Sequence, residues 1–356
     1  MGDRYRIDGH KLIHHLPRVA AWQRGEIVYP IYAEVSPSGS CNHRCLFCAL
    51  DYLEYRPRFL DAAVMAERFA EMAGLGLKSV LFGGEGEPLL NPGFARMAAS
   101  GRASGLDLAL TTNGVLWRGE LQEATLGLLQ WVKVSFNAAT RETYAAVHRA
   151  RPEDFDAVVA NLEAAVRLRE TTGAPCTLGA QILLLPENRA EIAAAAGLCR
   201  DIGLDYLVVK PYSQHRFSRT ERYREIRCAD YLADVEAAAA CATDRFSVIA
   251  RRDTMRAWDE GGRPYARCLA LPFWTYVDAG GGVWGCSAWL GEERFRYGNI
   301  LEQGFREIWE GERRRASLAF VESDLDVREC RLNCRMDKIN RFLWEVRHPP
   351  EHVNFI

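Results

Sequence analysis

Three cysteines, Cys41, Cys45 and Cys48, stand within eight residues in the run Cys41-Asn42-His43-Arg44-Cys45-Leu46-Phe47-Cys48. Thiolates clustered on one short loop are the usual ligands of iron–sulfur clusters. A cube of four irons has four corners and this loop supplies three, which leaves one iron open to a ligand from outside the chain. A zinc knuckle with His43 as fourth ligand is the alternative, as are thiols packed as small hydrophobes. Zinc sites more often come as paired C-x2-C elements or as Cys/His sets of four, and the turn is expected to point His43 outward. A second set follows: Cys268 and Cys286 flank a hairpin, and Cys330 and Cys334 enter the last helix. Four thiols can close a tetrahedral zinc site or a fully ligated cluster.

These residues need a scaffold. From residue 29 to about 211, short β-rich runs alternate with amphipathic helices. Strands are predicted at 31–35, 79–82, 106–111, 131–136, 177–185 and 206–210. Helices are predicted at 62–73, 92–103, 120–129, 141–148, 153–171 and 187–202, with Gly74 and Gly203 as stops. Such alternation implies parallel β-α units with right-handed crossovers. In parallel barrels the chemistry gathers after the strands, so the strand ends carry the most information. The expected organisation is a leader at 1–29, a barrel at 30–211, a bridge at 212–265 with a helix at 229–242 and a strand at 246–250, a cysteine-rich α+β domain at 266–347 and a tail at 348–356.

The 356 residues suffice for a large core, and a formal net charge of −2 gives no general case for nucleic acid or an anionic membrane as partner. The charged start and the lack of a long apolar run argue against a secretory signal or a membrane span. Eleven cysteines in such a chain favour a reducing, cytoplasmic setting with metal or redox chemistry over a disulfide scaffold.

The C-x3-C-x2-C spacing just after a first strand resembles the signature of the radical S-adenosylmethionine (SAM) superfamily. The remaining strand ends agree with that resemblance. Gly83-Gly84-Glu85-Gly86-Glu87 before Pro88-Leu89-Leu90 is similar to the family's glycine-rich motif, which approaches the methionine end of SAM. The duplicated Gly-Glu leaves the acidic role open between Glu87, favoured by its distance to Pro88, and Glu85. Thr112-Asn113-Gly114 matches the family's turn after the third strand, and Ser135 and Asn137 alternate onto the barrel interior, where relatives hold SAM. Arg149 is a candidate carboxylate partner, and Gln181 is either an inner polar contact or a satisfied core residue. Lys210, Tyr212 and His215 follow the sixth strand on the substrate side, where a polar or anionic molecule would bind; the arginines at 216–227 read as a solvated face.

The resemblance implies a partial (β/α)6 TIM-like barrel followed by a twitch domain, the shortened SPASM extension. It implies a SAM-binding 4Fe-4S cluster on Cys41, Cys45 and Cys48, and an auxiliary 4Fe-4S cluster on Cys268, Cys286, Cys330 and Cys334. A flavodoxin- or ferredoxin-like donor would reduce the first, SAM would yield a 5′-deoxyadenosyl radical, and a small polar substrate (sugar, aminocyclitol or nucleotide-like) would lose hydrogen, most simply by dehydrogenation. Epimerisation is a second outcome, with Cys176 or Cys228 as hydrogen donor; peptide maturation would need a separate leader-binding partner. A non-catalytic iron–sulfur redox protein is the reading of a different class, and the glycine-rich and Thr-Asn-Gly turns argue against it, since such a protein needs no SAM pocket.

Overall fold

The computed structural model describes residues 5–331 and 333–355; residues 1–4 of the expected leader, Leu332 and Ile356 lie outside them. Ten strands form one sheet: β1 (Tyr32–Val35), β2 (Ser79–Phe82), β3 (Asp107–Thr112), β4 (Leu129–Ser135), β5 (Thr177–Leu183), β6 (Tyr206–Lys210), β7 (Ser247–Ala250), β8 (Trp274–Val277), β9 (Gly282–Trp284) and β10 (Arg296–Asn299). The helices are α1 (Leu16–Gln23), α2 (Ala62–Gly74), α3 (Phe94–Ala103), α4 (Gly119–Leu126), α5 (Arg141–His148), α6 (Pro152–Thr172), α7 (Ile192–Ile202), α8 (Leu232–Ala239), α9 (Arg252–Glu260), α10 (Phe305–Glu310), α11 (Glu312–Ser323) and α12 (Asp337–Arg347).

Strands β1 to β7 pair in chain order and in parallel. The expectation of six barrel strands is exceeded on both sides. The strand read as part of a bridge is β7, which docks parallel on β6. At the other edge β8, the first strand of the cysteine-rich hairpin, pairs in parallel with β1, Tyr32 opposite Trp274 and Val35 opposite Val277. Antiparallel β9 and β10 continue outward. The edges β7 and β10 do not meet among the described residues, so the barrel stays unclosed.

Local chemistry sets the crossovers. Asp61 caps α2, accepting from the amides of Ala63 at 2.7 Å and Val64 at 3.1 Å. Gly173 and Gly203 end α6 and α7 in the left-handed region. Alternation then divides each strand. Val80, Phe82, Val132, Val134, Leu207 and Val209 face the helices in the main core. Glu34, Lys133, Ser135, Gln181 and Lys210 hold the opposite phase, so the inner wall is polar. On the same inner phase, level with Lys133 and Gln181, Tyr206, Val208 and Ile249 form an apolar patch against Tyr5 and Ile7, with the rings of Tyr5 and Tyr206 at 5.2 Å. Gly179 makes room for that patch: a Cβ there would stand 2.3 Å from the Tyr206 ring.

Among the described residues no helix is long and apolar enough to cross a membrane.

Candidate SAM and iron–sulfur sites

The cysteine loop leaves β1 and is held from two sides. The amides of Arg44 and Leu46 donate to the carbonyls of His148 at 3.1 Å and Val147 at 2.9 Å, which ties the loop to the end of α5. This anchoring turns His43 inward rather than outward. The ring is buried, 3.5 Å from Asp154, and lies 5.3 Å from the His148 ring. His148 gives its Nε2 proton to the Phe136 carbonyl at 3.1 Å, leaving Nδ1 facing Cys45 Sγ at 3.2 Å; burial, then His43, lowers its pKa to about 3. Sequence reasoning passed over both His148 and Tyr55, whose hydroxyl bonds to Cys48 and whose ring carries the Arg44 guanidinium at 4.2 Å.

The three thiols are pushed above their usual range by burial, Cys41 to about 12 with Glu87 as second cause, and Cys45 and Cys48 in the same direction. A thiolate here therefore needs a cation to offset its desolvation. The thiols are not spaced for a single ion. Among the described residues, the group with three donor atoms within 4.8 Å of one another is His43, Cys45 and His148, whereas a tetrahedral ion with Zn–S bonds of about 2.3 Å would draw its sulfurs closer than that. Three cysteines held apart at one rim fit an iron–sulfur cluster.

The glycine-rich loop packs directly under this rim. A Cβ on Gly86 would stand 2.2 Å from the Ser40 carbonyl oxygen and 2.4 Å from that of Ser38, and Gly84, at φ +103°, faces Ser36 and the Tyr276 hydroxyl. Gly83 leads the loop out of β2. Both acids of the duplicated motif are buried, with separate tasks. Glu87 accepts from Thr112 Oγ1 at 2.6 Å and from the Asn113 amide at 2.8 Å, joining this loop to the next turn; burial raises its pKa to about 6. Asn113 in turn donates to Asn42 of the cysteine loop at 2.6 Å. Glu85 accepts from Arg58 and from the Ala279 amide at 3.1 Å, joining the loop to the β8–β9 hairpin. Burial and then Asp278 raise its pKa to about 7.

Ser135 ends β4, and Asn137, at φ +55°, accepts from the Leu183 amide at 2.9 Å while its Nδ2 stays buried without a hydrogen-bond partner. An orphaned donor at the ends of β4 and β5 is the kind of group that a bound cofactor satisfies. Gln181 is buried on β5 opposite Ser135. Arg149 is exposed at the left-handed cap of α5. Lys210 is half-buried on the inner wall. Tyr212 is instead packed in a cluster with Val147 and Tyr223 beneath Leu46 and Phe47, and His215 is stacked on Tyr52 at 5.2 Å, its pKa lowered to about 4 by burial and then Arg331. The expected hydrogen donors are displaced as well. Cys176 immediately precedes β5, at the opposite end of that strand from its loop to Leu184, and Cys228 lies in the turn before α8; both are buried in the helix-side core.

The second set converges. Cys268, Cys286, Cys330 and Cys334 line one apolar pocket with Leu271, Trp289, Phe295 and Met336. Burial raises Cys268 to about 12 and pushes Cys286 and Cys330 up too. Backbone amides of Ala288 and Met336 reach the sulfurs of Cys286 and Cys334 at 3.4 Å, and Asn340 reaches that of Cys268 at 3.5 Å. Such donors stabilise the charge of a thiolate-ligated cluster.

Comparison with known proteins agrees with this geometry. The radical SAM superfamily profile matches residues 35–199, and the iron-sulfur cluster-binding SPASM profile matches residues 268–335. The GTP 3′,8-cyclase of Chlorobaculum tepidum is 29% identical over 226 residues, covering 61% of this chain and 66% of that enzyme, just under two thirds of its length. The AdoMet-dependent heme synthase of Methanosarcina barkeri is 25% identical over 319 residues, covering 83% of this chain and 82% of that one. Among solved structures, Streptococcus suis SuiB bound to S-adenosylmethionine superposes with a TM-score of 0.61 at 16% identity, covering 85% of this chain and 70% of SuiB, a likeness of fold. With its cysteine tripod on an unclosed barrel and its four-thiol pocket beyond, the chain belongs to the radical SAM superfamily and carries a C-terminal SPASM-type iron–sulfur domain, a pairing that implies SAM and two 4Fe-4S clusters as cofactors.

Proposed function

We propose that the protein is a radical SAM oxidoreductase that removes hydrogen from a small polar molecule held inside the barrel. Cys41, Cys45 and Cys48 would hold a four-iron cluster that, reduced by a flavodoxin- or ferredoxin-like donor, would supply the electron for reductive cleavage of SAM to methionine and a 5′-deoxyadenosyl radical. The chain's own part is to bind, aim and exclude water. Gly84 and Gly86 let the glycine-rich loop close on the cysteine loop beside which the methionine end of SAM would lie, and Ser135, Asn137 and Gln181 offer polar atoms along β4 and β5. Cys268, Cys286, Cys330 and Cys334 would hold the auxiliary cluster beyond the mouth, where it can accept the electron left when an alcohol carbon becomes a ketone.

The observation that carries this reading is the tripod of half-buried thiols on the loop after β1, together with a separate pocket of four. Oxidation is preferred to epimerisation because the four remaining cysteines, Cys176, Cys199, Cys228 and Cys241, pack among the helices. No thiol is thereby left on the inner wall to return a hydrogen atom. The test is product analysis with reconstituted, reduced protein: two hydrogens lost from the substrate support oxidation, whereas solvent deuterium in an otherwise unchanged skeleton overturns it.

A further inference from the structure

Three thiols of the auxiliary pocket already receive an N–H group: Asn340 reaches Cys268, and the amides of Ala288 and Met336 reach Cys286 and Cys334. A further donor stands in the same pocket with no completed bond. Trp289 lines it together with all four cysteines and is only 7% exposed, yet its Nε1 is buried without a hydrogen-bond partner among the described residues. A buried N–H left unsatisfied is costly, and in native structures it commonly marks a group that a bound cofactor completes. The thiol on that side is Cys330, which burial and then Cys334 push up and the indole N–H draws back down.

The ring is held so that this N–H cannot turn elsewhere. Trp289 stacks on Phe295 with centroids 5.0 Å apart and planes 12° apart, and it meets Phe217 edge-on at 6.0 Å. The guanidinium of Arg216 lies 4.4 Å from the ring centre and is itself tied to Glu329, the neighbour of Cys330, at 2.8 Å. A cation over the face draws electron density from the indole. Its N–H becomes a stronger donor as a result.

We infer that Trp289 tunes the auxiliary cluster: its indole N–H donates to the Cys330 sulfur, or to the cluster sulfide beside it, and raises the potential at which that cluster takes up an electron. Reduction adds negative charge to an already anionic cluster, so a hydrogen bond to its sulfurs favours the reduced form. The inference rests on the four-thiol cluster and not on the substrate. It bears on the proposed oxidation, in which this cluster accepts the electron left on the substrate, and it stands without that reading.

The test compares the anaerobically reconstituted wild type with Trp289→Phe, which keeps an aromatic ring and removes the N–H. In a redox titration followed by electron paramagnetic resonance, the variant should hold the auxiliary cluster at a lower midpoint. The expected change in its reduction equilibrium is about tenfold, or about 59 mV for one electron. The cluster on Cys41, Cys45 and Cys48, told apart because SAM alters its signal, should keep its midpoint. Pulsed resonance on wild type grown with tryptophan labelled at the indole nitrogen supplies the second measurement. The reduced auxiliary cluster should show a coupling to that nitrogen, since Trp289 is the tryptophan lining the pocket. This coupling is read in the wild type, so it decides the matter even where the variant takes up less iron. Equal auxiliary midpoints in two fully loaded proteins, or no nitrogen coupling in the wild type, overturns the role of Trp289 and leaves the oxidation reading untouched. Zinc in place of iron at the four thiols overturns the tuning role and the auxiliary cluster together.

Discussion

Glu85 and Glu87 are two residues apart and do different work. Glu87 spends its oxygens on the Thr112-Asn113 turn, whereas Glu85 spans from the barrel to the hairpin through Arg58 and Ala279. Spacing to Pro88 alone left their roles open, because the partner of Glu85 lies 194 residues away. Glu85 also gives a pH signature. Its folded pKa, raised to about 7, lies above the carboxylate range near 4.3, so the folded chain keeps a proton that the unfolded chain has lost. Its stabilising contribution is full below the unfolded value and is lost as pH rises through the folded one. The stability of the wild type relative to Glu85→Gln should therefore fall by up to about 3 kcal/mol between pH 4.5 and pH 7.5. Urea unfolding across that range measures it, and a difference that grows with pH would contradict the assignment. The alternation that puts Ser135 inside also puts Lys133 inside, where it is half-buried on the inner wall.

Among the elements, the loops after β1 and β2 act as one unit, since the glycine-rich turn presses its backbone onto Ser38 and Ser40. Gly86→Ala should push the cysteine loop away and lower iron at the tripod while sparing the four-cysteine pocket. Iron content would fall from about eight toward about four per chain for two four-iron clusters. Full iron loading would mean that the close approach has no bearing on the tripod. These local motifs were legible in the sequence because their residues adjoin one another and sit at strand ends. Helix breaks were less so. The run 305–318 reads as one helix, yet it divides at Gly311 into α10 and α11, where a Cβ would meet the Glu307 carbonyl at 2.9 Å. Helix α9 went unread among charged residues, although Thr254 and Met255 bury one face and Asp8 accepts from the Asp253 amide at 2.8 Å.

For the whole molecule, the barrel and the auxiliary domain share a sheet and an ion pair. Strand β8 is joined to β1 along four residue pairs, and Arg335 reaches back to Glu34. No short-range pattern could have revealed a pairing across some 240 residues, since parallel partners this far apart are chosen by tertiary packing. A chain ended at residue 265 should expose the edge of β1 and lose its fold, appearing as insoluble protein or as a broadened, non-cooperative melt. A sharp, native-like transition from that fragment would mean that the barrel stands alone. The central claim concerns chemistry at the tripod, and one assay reaches it most directly: 5′-deoxyadenosine released from SAM by the reconstituted, reduced protein. The wild type should form it, and Cys45→Ala should form none while retaining about four irons per chain at the second site. Absence of 5′-deoxyadenosine from a fully loaded wild type, or its persistence in Cys45→Ala, would contradict the account.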